Sequence, residues 1–505
     1  MTKLNNVCKV IALALFLGLG ATAQAKLLAA GRAASVTGTV YKYETTHFAI
    51  YYQTSGENAV YGSSTVDGNG VPVAIDSIGA YAERSWALAV DTLKYKSPTG
   101  MSTTIYYQQA TPTGKMPIEV ADVGMANQGS PWNDPTMGMS TDPSLDSKGL
   151  GCEILLENDF IYNSTKPIRD SSKQVSNGIL YDFSTATDIY KGWKVTVSHE
   201  FFHTIEFGYE YSYQYSFHEM CAVWFEICAY PEIYHHWTYL PKFVSGGFSG
   251  AFATGSSHYY SNHVFVREFA KVFGDSSIRK IWEYRSRHVW LDTKSMTEAP
   301  WFSQAMDSLG YSQATLLADY SVELANLLYD HAGLLNDNGL YVNMPYQPST
   351  RLPRTSPVAG IYGQSSIELE NFGFDGLEYS WKSIPTGMHF MIDSTNSNSG
   401  GFGFLVHMPS LKITQYDPRG KNVIVAIDTG DTAIAAFYAG GNPVVFAYTE
   451  FTYDAVTGIS SAKKLRNAFI PKTRVDLMGR PVSSDYRGIV IESDGIKTIP
   501  TVQVR

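Results

Sequence analysis

Thr196-Val197-Ser198-His199-Glu200-Phe201-Phe202-His203-Thr204-Ile205 is the stretch from which the rest of the chain is read. It contains no proline or glycine, and Glu200 is its only carboxylate, so the pattern predicts a buried segment of helix. His199 and His203 are four apart and lie one turn above each other on one face, where two imidazoles can hold one ion. Glu200 is rotated about 100° from His199, which sets it at the ion's open side as a base rather than a ligand. Two imidazoles and a carboxylate are costly to bury unless a metal or hydrogen bonds satisfy them. The bland alternative is a pair of core or solvated histidines on an amphipathic helix.

The spacing is the His-Glu-x-x-His arrangement of zinc peptidases. Such a site takes three protein ligands and leaves one position for water. Two long helices are predicted, over 193–211 and 217–230, the second ended by Pro231. Glu219 and Glu226 are seven apart on the second helix and share a face, with the small Ala222 between them. Glu219 follows His203 by 16 residues, enough for a turn and a return, and is read as the third ligand. Glu226 is read as the partner that accepts a hydrogen bond from a ligand imidazole and fixes its tautomer. His218, Glu206 and Glu210 are the rivals for third ligand. His218 lies off the Glu219 face, and the other two sit too near on the first helix.

Outward from this centre, the chain has 505 residues, 44% hydrophobic and 13% aromatic, enough for two or three domains and unlike a disordered chain. Lys+Arg 38 against Asp+Glu 47 gives −9, so no overall basic field exists to hold nucleic acid. Lys3 and Lys9, the apolar run Val10 to Leu17 and the small-x-small box Ala23-Gln24-Ala25 read as a secretory signal peptide over 1–25, cut before Lys26. Its removal takes the net charge from −9 to −11. No other segment approaches the roughly 20 apolar residues of a membrane span, so a secreted or cell-surface protein is expected. Cys221 and Cys228, seven apart on one helix, would sit about 10 Å apart, too far for a disulfide. Cys152 either pairs with one of them or is a third thiol.

Strand-like and helix-like segments alternate between Tyr41 and Val342. Strands are expected at His47–Tyr52, Thr103–Tyr107 and Glu153–Leu156. Further helices are expected over 74–93, 262–285 and 312–330. Asp67-Gly68-Asn69-Gly70 is a turn lacking the remaining ligands of a calcium loop. Pro345, Pro348, Pro353 and Pro357 mark an extended linker over 343–358. Five short β runs between turn residues then suggest a β-sandwich over 359–470, followed by a small β tail over 471–505.

His199-Glu200-Phe201-Phe202-His203 followed by Glu219, Ala222 and Glu226 resembles a gluzincin metallopeptidase. More narrowly, residues 40–340 are similar to a family of secreted bacterial metalloproteases. The matching stretches are His47–Tyr52, the Asp67–Pro72 turn, Glu157–Phe160, and Phe273-Gly274-Asp275 leading to Ile281-Trp282-Glu283. Met220 stands where glycine is usual, and Val73-Ala74 where Asp-Tyr is usual; neither change removes a catalytic group. A metzincin assignment fails, because its glycine and third histidine would fall at Glu206 and Tyr209.

The resemblance implies an α+β zincin-like catalytic domain over 26–342, with an active-site helix and a glutamate helix, ahead of the β-sandwich. It implies zinc on His199, His203 and Glu219, Glu200 as general base, and a protein or peptide substrate. Related enzymes supply an oxyanion donor from a later tyrosine or histidine. In Ser257-His258-Tyr259-Tyr260 the preferred candidate is Tyr259, unless the cluster serves packing. The strand at Glu153–Asn158 is the expected edge for pairing with substrate.

The tail, Asp476–Val482 with Gly488–Ile491 and Gly495–Lys497, resembles the end of a type IX (Por) secretion sorting domain, which implies contact with secretion machinery; a hairpin finishing the sandwich is the alternative. Two other functions stay open: a non-catalytic cell-surface binding protein with a degenerate peptidase domain, carbohydrate binding included, and a glycoside hydrolase with paired carboxylates. Retention of Glu200 argues against the first.

Overall fold

The computed structural model describes residues 36–122, 138–140, 151–162, 166–167, 186–210, 215–239, 258–288 and 298–329, and the C-terminal strands named below. The chain divides into two compact units, Met1–Phe243 with Thr254–Trp301, and Val244–Ala253 with Phe302–Arg505. The expected signal peptide lies outside the described residues.

The first unit is built on a mixed sheet of β1 (Tyr41–Glu44), β2 (Phe48–Tyr52), β3 (Met116–Ala121), β4 (Gly138–Ser140) and β5 (Ile154–Glu157), in the order β1-β2-β3-β5-β4. Its outer strands run antiparallel to their neighbours, while β2, β3 and β5 are mutually parallel. All five residues of β2 are buried, as in a strand covered on both faces. The stretch expected to form an edge, Glu153–Asn158, contributes β5, which is paired on both sides; the edge on that side is β4.

The strand expected at Thr103–Tyr107 does not form. Its backbone donors turn instead to side chains: Ile105 N–H to Glu153 (2.9 Å), and Tyr106 and Tyr107 N–H to the two oxygens of Glu119 (2.8 and 2.6 Å). Buried carboxylates here take the place of a neighbouring strand.

Helix α1 (Val73–Trp86) buries Ala74, Ile75, Ile78 and Ala82 along one stripe, and a wider helical turn carries it on to Thr92. Gly79 lies on this stripe, where a Cβ would come within 2.8 Å of Thr45, so the helix crosses the β1–β2 hairpin closely. Glu83 fastens the same hairpin by accepting from the Thr45 hydroxyl (2.6 Å) and His47 N–H (2.7 Å). The Asp67 turn is closed by its own side chain, which accepts from the N–H groups of Asn69 and Val71.

After a short pair, β6 (Ile161–Tyr162) and β7 (Lys166–Pro167), come the two central helices, α2 (Ala186–Phe207) and α3 (Tyr215–Ala229). A 3₁₀ turn (His235–Thr238), α4 (His258–Ser261), α5 (His263–Phe273) and α6 (Ser276–His288) follow. The single helix expected over 262–285 is split at Gly274, whose φ of 84° ends α5. Cys152, Cys221 and Cys228 are all free thiols.

The division between units falls within α7 (Glu298–Ser308), earlier than the expected boundary at 342. Helix α8 (Gln313–Tyr329) belongs to the second unit and contacts two of its strands, Gly401–Met408 and Thr432–Ala439. That unit holds β8 (Ser349–Arg351), β9 (Gly360–Leu369), β10 (Phe374–Ser380), β11 (Met388–Asn396), β12 (Gly401–Met408), β13 (Lys412–Tyr416), β14 (Lys421–Val425), β15 (Thr432–Ala439) and β16 (Val444–Asp454). They form a sheet ordered β13-β12-β15-β10-β8 and a second ordered β14-β11-β16-β9. All pairings in these two sheets are antiparallel except β8 with β10. Ser349–Arg351 of the proline-rich stretch is therefore a sheet edge; the rest of the expected linker lies outside the described residues. The tail forms a three-stranded antiparallel sheet of β17 (Thr473–Asp476), β18 (Ile489–Ser493) and β19 (Thr501–Val504).

Candidate metal centre

Helix α2 carries His199, Glu200 and His203, each 8% exposed. The two phenylalanines between the histidines set its orientation. Phe201 packs against Phe48 of β2 (centroids 5.6 Å) and Trp86 of α1 (5.9 Å). Phe202 faces the other way, stacked on Phe225 of α3 at 4.6 Å and edge-on to Tyr95. The helix is thereby held between the sheet side and α3, and its histidines face Glu219.

The Nε2 atoms of His199 and His203 are 3.1 Å apart, and Glu219 Oε2 lies 3.1 Å from the first and 3.4 Å from the second. Each residue can offer one ligand atom, all within 4.8 Å of one another. Ligands bonded to a tetrahedral ion at about 2.0–2.1 Å are about 3.3 Å apart. The three residues therefore fit a metal by donor chemistry and by spacing.

The outer nitrogens are also held. His199 donates from Nδ1 to Oε1 of Glu226 (2.7 Å), and His203 from Nδ1 to Oε2 of Glu206 (2.7 Å). Both Nε2 lone pairs are thereby aimed at the shared point. Burial alone would lower the histidine pKa values. Glu219 and Glu226 outweigh it at His199, holding it up to about 10, and Glu219 with Glu206 does the same at His203. Conversely, burial would raise the carboxylates, yet His203 and His199 hold Glu219 well below its usual range. His235 and His199 hold Glu226 down to about 2. The field of the site thus favours positive charge at the two imidazoles. Burial raises Glu200, and the nearby side chain of Ser140, on edge strand β4, opposes the rise.

Of the residues picked out by sequence, His199, Glu200, His203, Glu219 and Glu226 come together here. The side chain of Tyr259 lies outside the described residues. Its neighbour Tyr260 on α4 has its ring 6.0 Å from that of His199, and Glu219 beside its hydroxyl keeps that hydroxyl protonated. Sequence reasoning misses the roles of Glu206 and His235. Glu206 carries a local signal, three residues after His203 on the same face; His235, reached through a chain reversal, carries none. Of the rival ligands, Glu210 is engaged by Arg285 (2.5 and 2.8 Å), away from the histidines. The one carboxyl pair outside the centre that stands out among the described residues, Glu119 with Glu153, is wholly enclosed and occupied with backbone donors, which does not suit glycoside hydrolysis.

No family model and no curated protein sequence matches the chain. Among solved structures it aligns with PliG, a periplasmic inhibitor of g-type lysozyme from Aeromonas hydrophila, at 12% identity and a TM-score of 0.14, covering 17% of this chain and 85% of that one. It also aligns with a family GH115 4-O-methyl-α-glucuronidase at 10% identity and a TM-score of 0.14, covering 72% of this chain and 54% of that one. At these TM-scores neither alignment carries an argument about fold or function.

Proposed function

We propose that the protein is a secreted zinc-dependent endopeptidase, its first unit a zincin-like α+β catalytic domain and its two larger C-terminal sheets a β-sandwich. The observation that carries the reading is the convergence of His199 Nε2, His203 Nε2 and Glu219 Oε2 at 3.1–3.4 Å, with Glu200 beside them rather than among them. His199, His203 and Glu219 would hold the ion. When bound, zinc lowers the pKa of a coordinated water and polarises a carbonyl.

The chain's own groups supply the rest. Glu200, its pKa raised by burial, takes a proton from the attacking water and later delivers it to the leaving amine. The protonated Tyr260 hydroxyl, or that of Tyr259, donates to the developing oxyanion. Edge strand β4 runs beside α2 and, among the described residues, pairs on one side alone, which leaves its other side to an extended peptide. Among the described residues no helix is long and apolar enough to cross a membrane. Export through the leader, and a sorting role for the tail, belong to the same proposal.

The test is metal analysis and a peptide-library digest of the purified protein, with Glu200→Gln as control. About one zinc per chain and cleavage abolished in the variant, with its zinc retained, is the expected result; a base of this kind contributes about 10²–10⁴-fold. Wild-type protein with neither zinc nor cleavage would overturn the reading. Loss of zinc in Glu200→Gln would make Glu200 a ligand instead of a base.

A further inference from the structure

Glu226 is buried, 3% exposed, and has two carboxylate oxygens to satisfy. One accepts from His199; the other accepts from Nδ1 of His235 at 2.9 Å. His235 is itself buried and comes from outside the two central helices. Pro231 follows the end of α3, the Ile233 N–H closes onto the Tyr230 carbonyl, and the 3₁₀ turn brings His235 back beside Glu226. Removing the donor to a buried carboxylate oxygen costs about 1–3 kcal/mol and loosens the hold on that carboxylate's rotamer. A shift of that rotamer would carry Oε1 away from His199 Nδ1.

A second route joins the same groups. The ring of Tyr239 lies edge-on to His235 (5.3 Å) and stacks on Tyr260 (5.1 Å), and Tyr260 lies against His199 (6.0 Å). Five side chains therefore form a closed circuit that begins and ends at His199. A contact made only to fill space would not need to satisfy Glu226 on one side and back the ring packed on His199 on the other.

We propose that His235 is a positioning residue of the metal centre: through Glu226 it fixes the tautomer and orientation of His199, and so sets the affinity for zinc. The proposal rests on reading His199, His203 and Glu219 as a zinc site. The test is zinc affinity, by competition with a chromogenic chelator, on the full chain. Wild type is compared with His235→Ala, His235→Asn and His235→Gln, each checked for folding by near-UV circular dichroism. His235→Ala should weaken zinc about 10-fold or more. Asn, which keeps a donor at the Nδ1 position, should restore most of the loss, and Gln should not. In a Glu226→Ala background, His235→Ala should produce no further weakening, because its route to the metal is already cut.

Wild-type affinity in His235→Ala, or an equal loss with and without Glu226, would overturn the proposal and leave the zinc reading intact. If His235→Ala does not fold, equal affinities for the Asn and Gln variants would overturn it. A wild-type chain that takes up no zinc would instead overturn the site reading, and the proposal with it.

Discussion

Replacing Glu119 by alanine should unfasten the loop at 105–107 and destabilise the first unit. Glu119 has no exposed surface, and its two oxygens accept the N–H groups of Tyr106 and Tyr107 at 2.8 and 2.6 Å. Alanine leaves both buried donors without that acceptor, at about 1–3 kcal/mol each, or about 2–6 kcal/mol together. Glu153, held protonated by burial and by Glu119, loses its side-chain partner as well. A loss of about 4 kcal/mol, the middle of that range, follows. Glu119→Gln keeps one carbonyl oxygen and should lose about half as much. Urea unfolding followed by tryptophan fluorescence measures this, because eight of the nine tryptophans precede Phe302. A loss below about 0.5 kcal/mol for alanine, the range of ordinary surface changes, would refute the claim that these carboxylates hold the loop.

The same pair gives a pH dependence. Burial pushes Glu119 up to about 7 and Glu153 well above the usual range. The folded state therefore binds more protons than the unfolded state, and the pair's contribution falls as pH rises from about 4.5 through about 7. The stability advantage of wild type over Glu119→Gln/Glu153→Gln should accordingly be larger at pH 5 than at pH 8, and an advantage that grew with pH would contradict this. At the metal centre, Glu219→Ala should lower zinc content far more than Glu226→Ala, for which a loss of about 10–100-fold in affinity is expected; a reversed order would move the third ligand to Glu226. Tyr260→Phe should reduce kcat by about 10²–10³-fold with little change in KM. The same loss in Tyr259→Phe alone would return the donor role to Tyr259.

The parts of this arrangement that sequence exposes are those written in helical spacing. His199, Glu200 and His203 share one helix, and Glu219 and Glu226 share another, so geometry along each axis follows from residue number alone. What depends on a third direction is hidden. The strand expected at Thr103–Tyr107 gives way to a loop because the competing acceptors, Glu119 and Glu153, lie on other segments. The break at Gly274 is masked by apolar periodicity that continues on both sides of it. The choice between Tyr259 and Tyr260 depends on where a four-residue helix starts, which spacing does not fix. The pairing of β5 on both sides requires knowing that the Gly138–Ser140 segment returns to the sheet.

Phe201 and Phe202 are about 100° apart around α2 and are gripped from different sides. Together they act as a rotational stop. A helix pinned by one aromatic can roll about its axis, whereas one pinned by two adjacent aromatics cannot without lifting one ring from its seat. A roll of about 17° would swing a histidine Nε2, about 7 Å from the axis, by about 2 Å, the full length of a metal–nitrogen bond. In the proposed centre the spacing of the two histidines and Glu219 would therefore be kept by two hydrocarbon side chains that are not themselves ligands. Trimming either ring should broaden the range of metals accepted before it reduces the number bound.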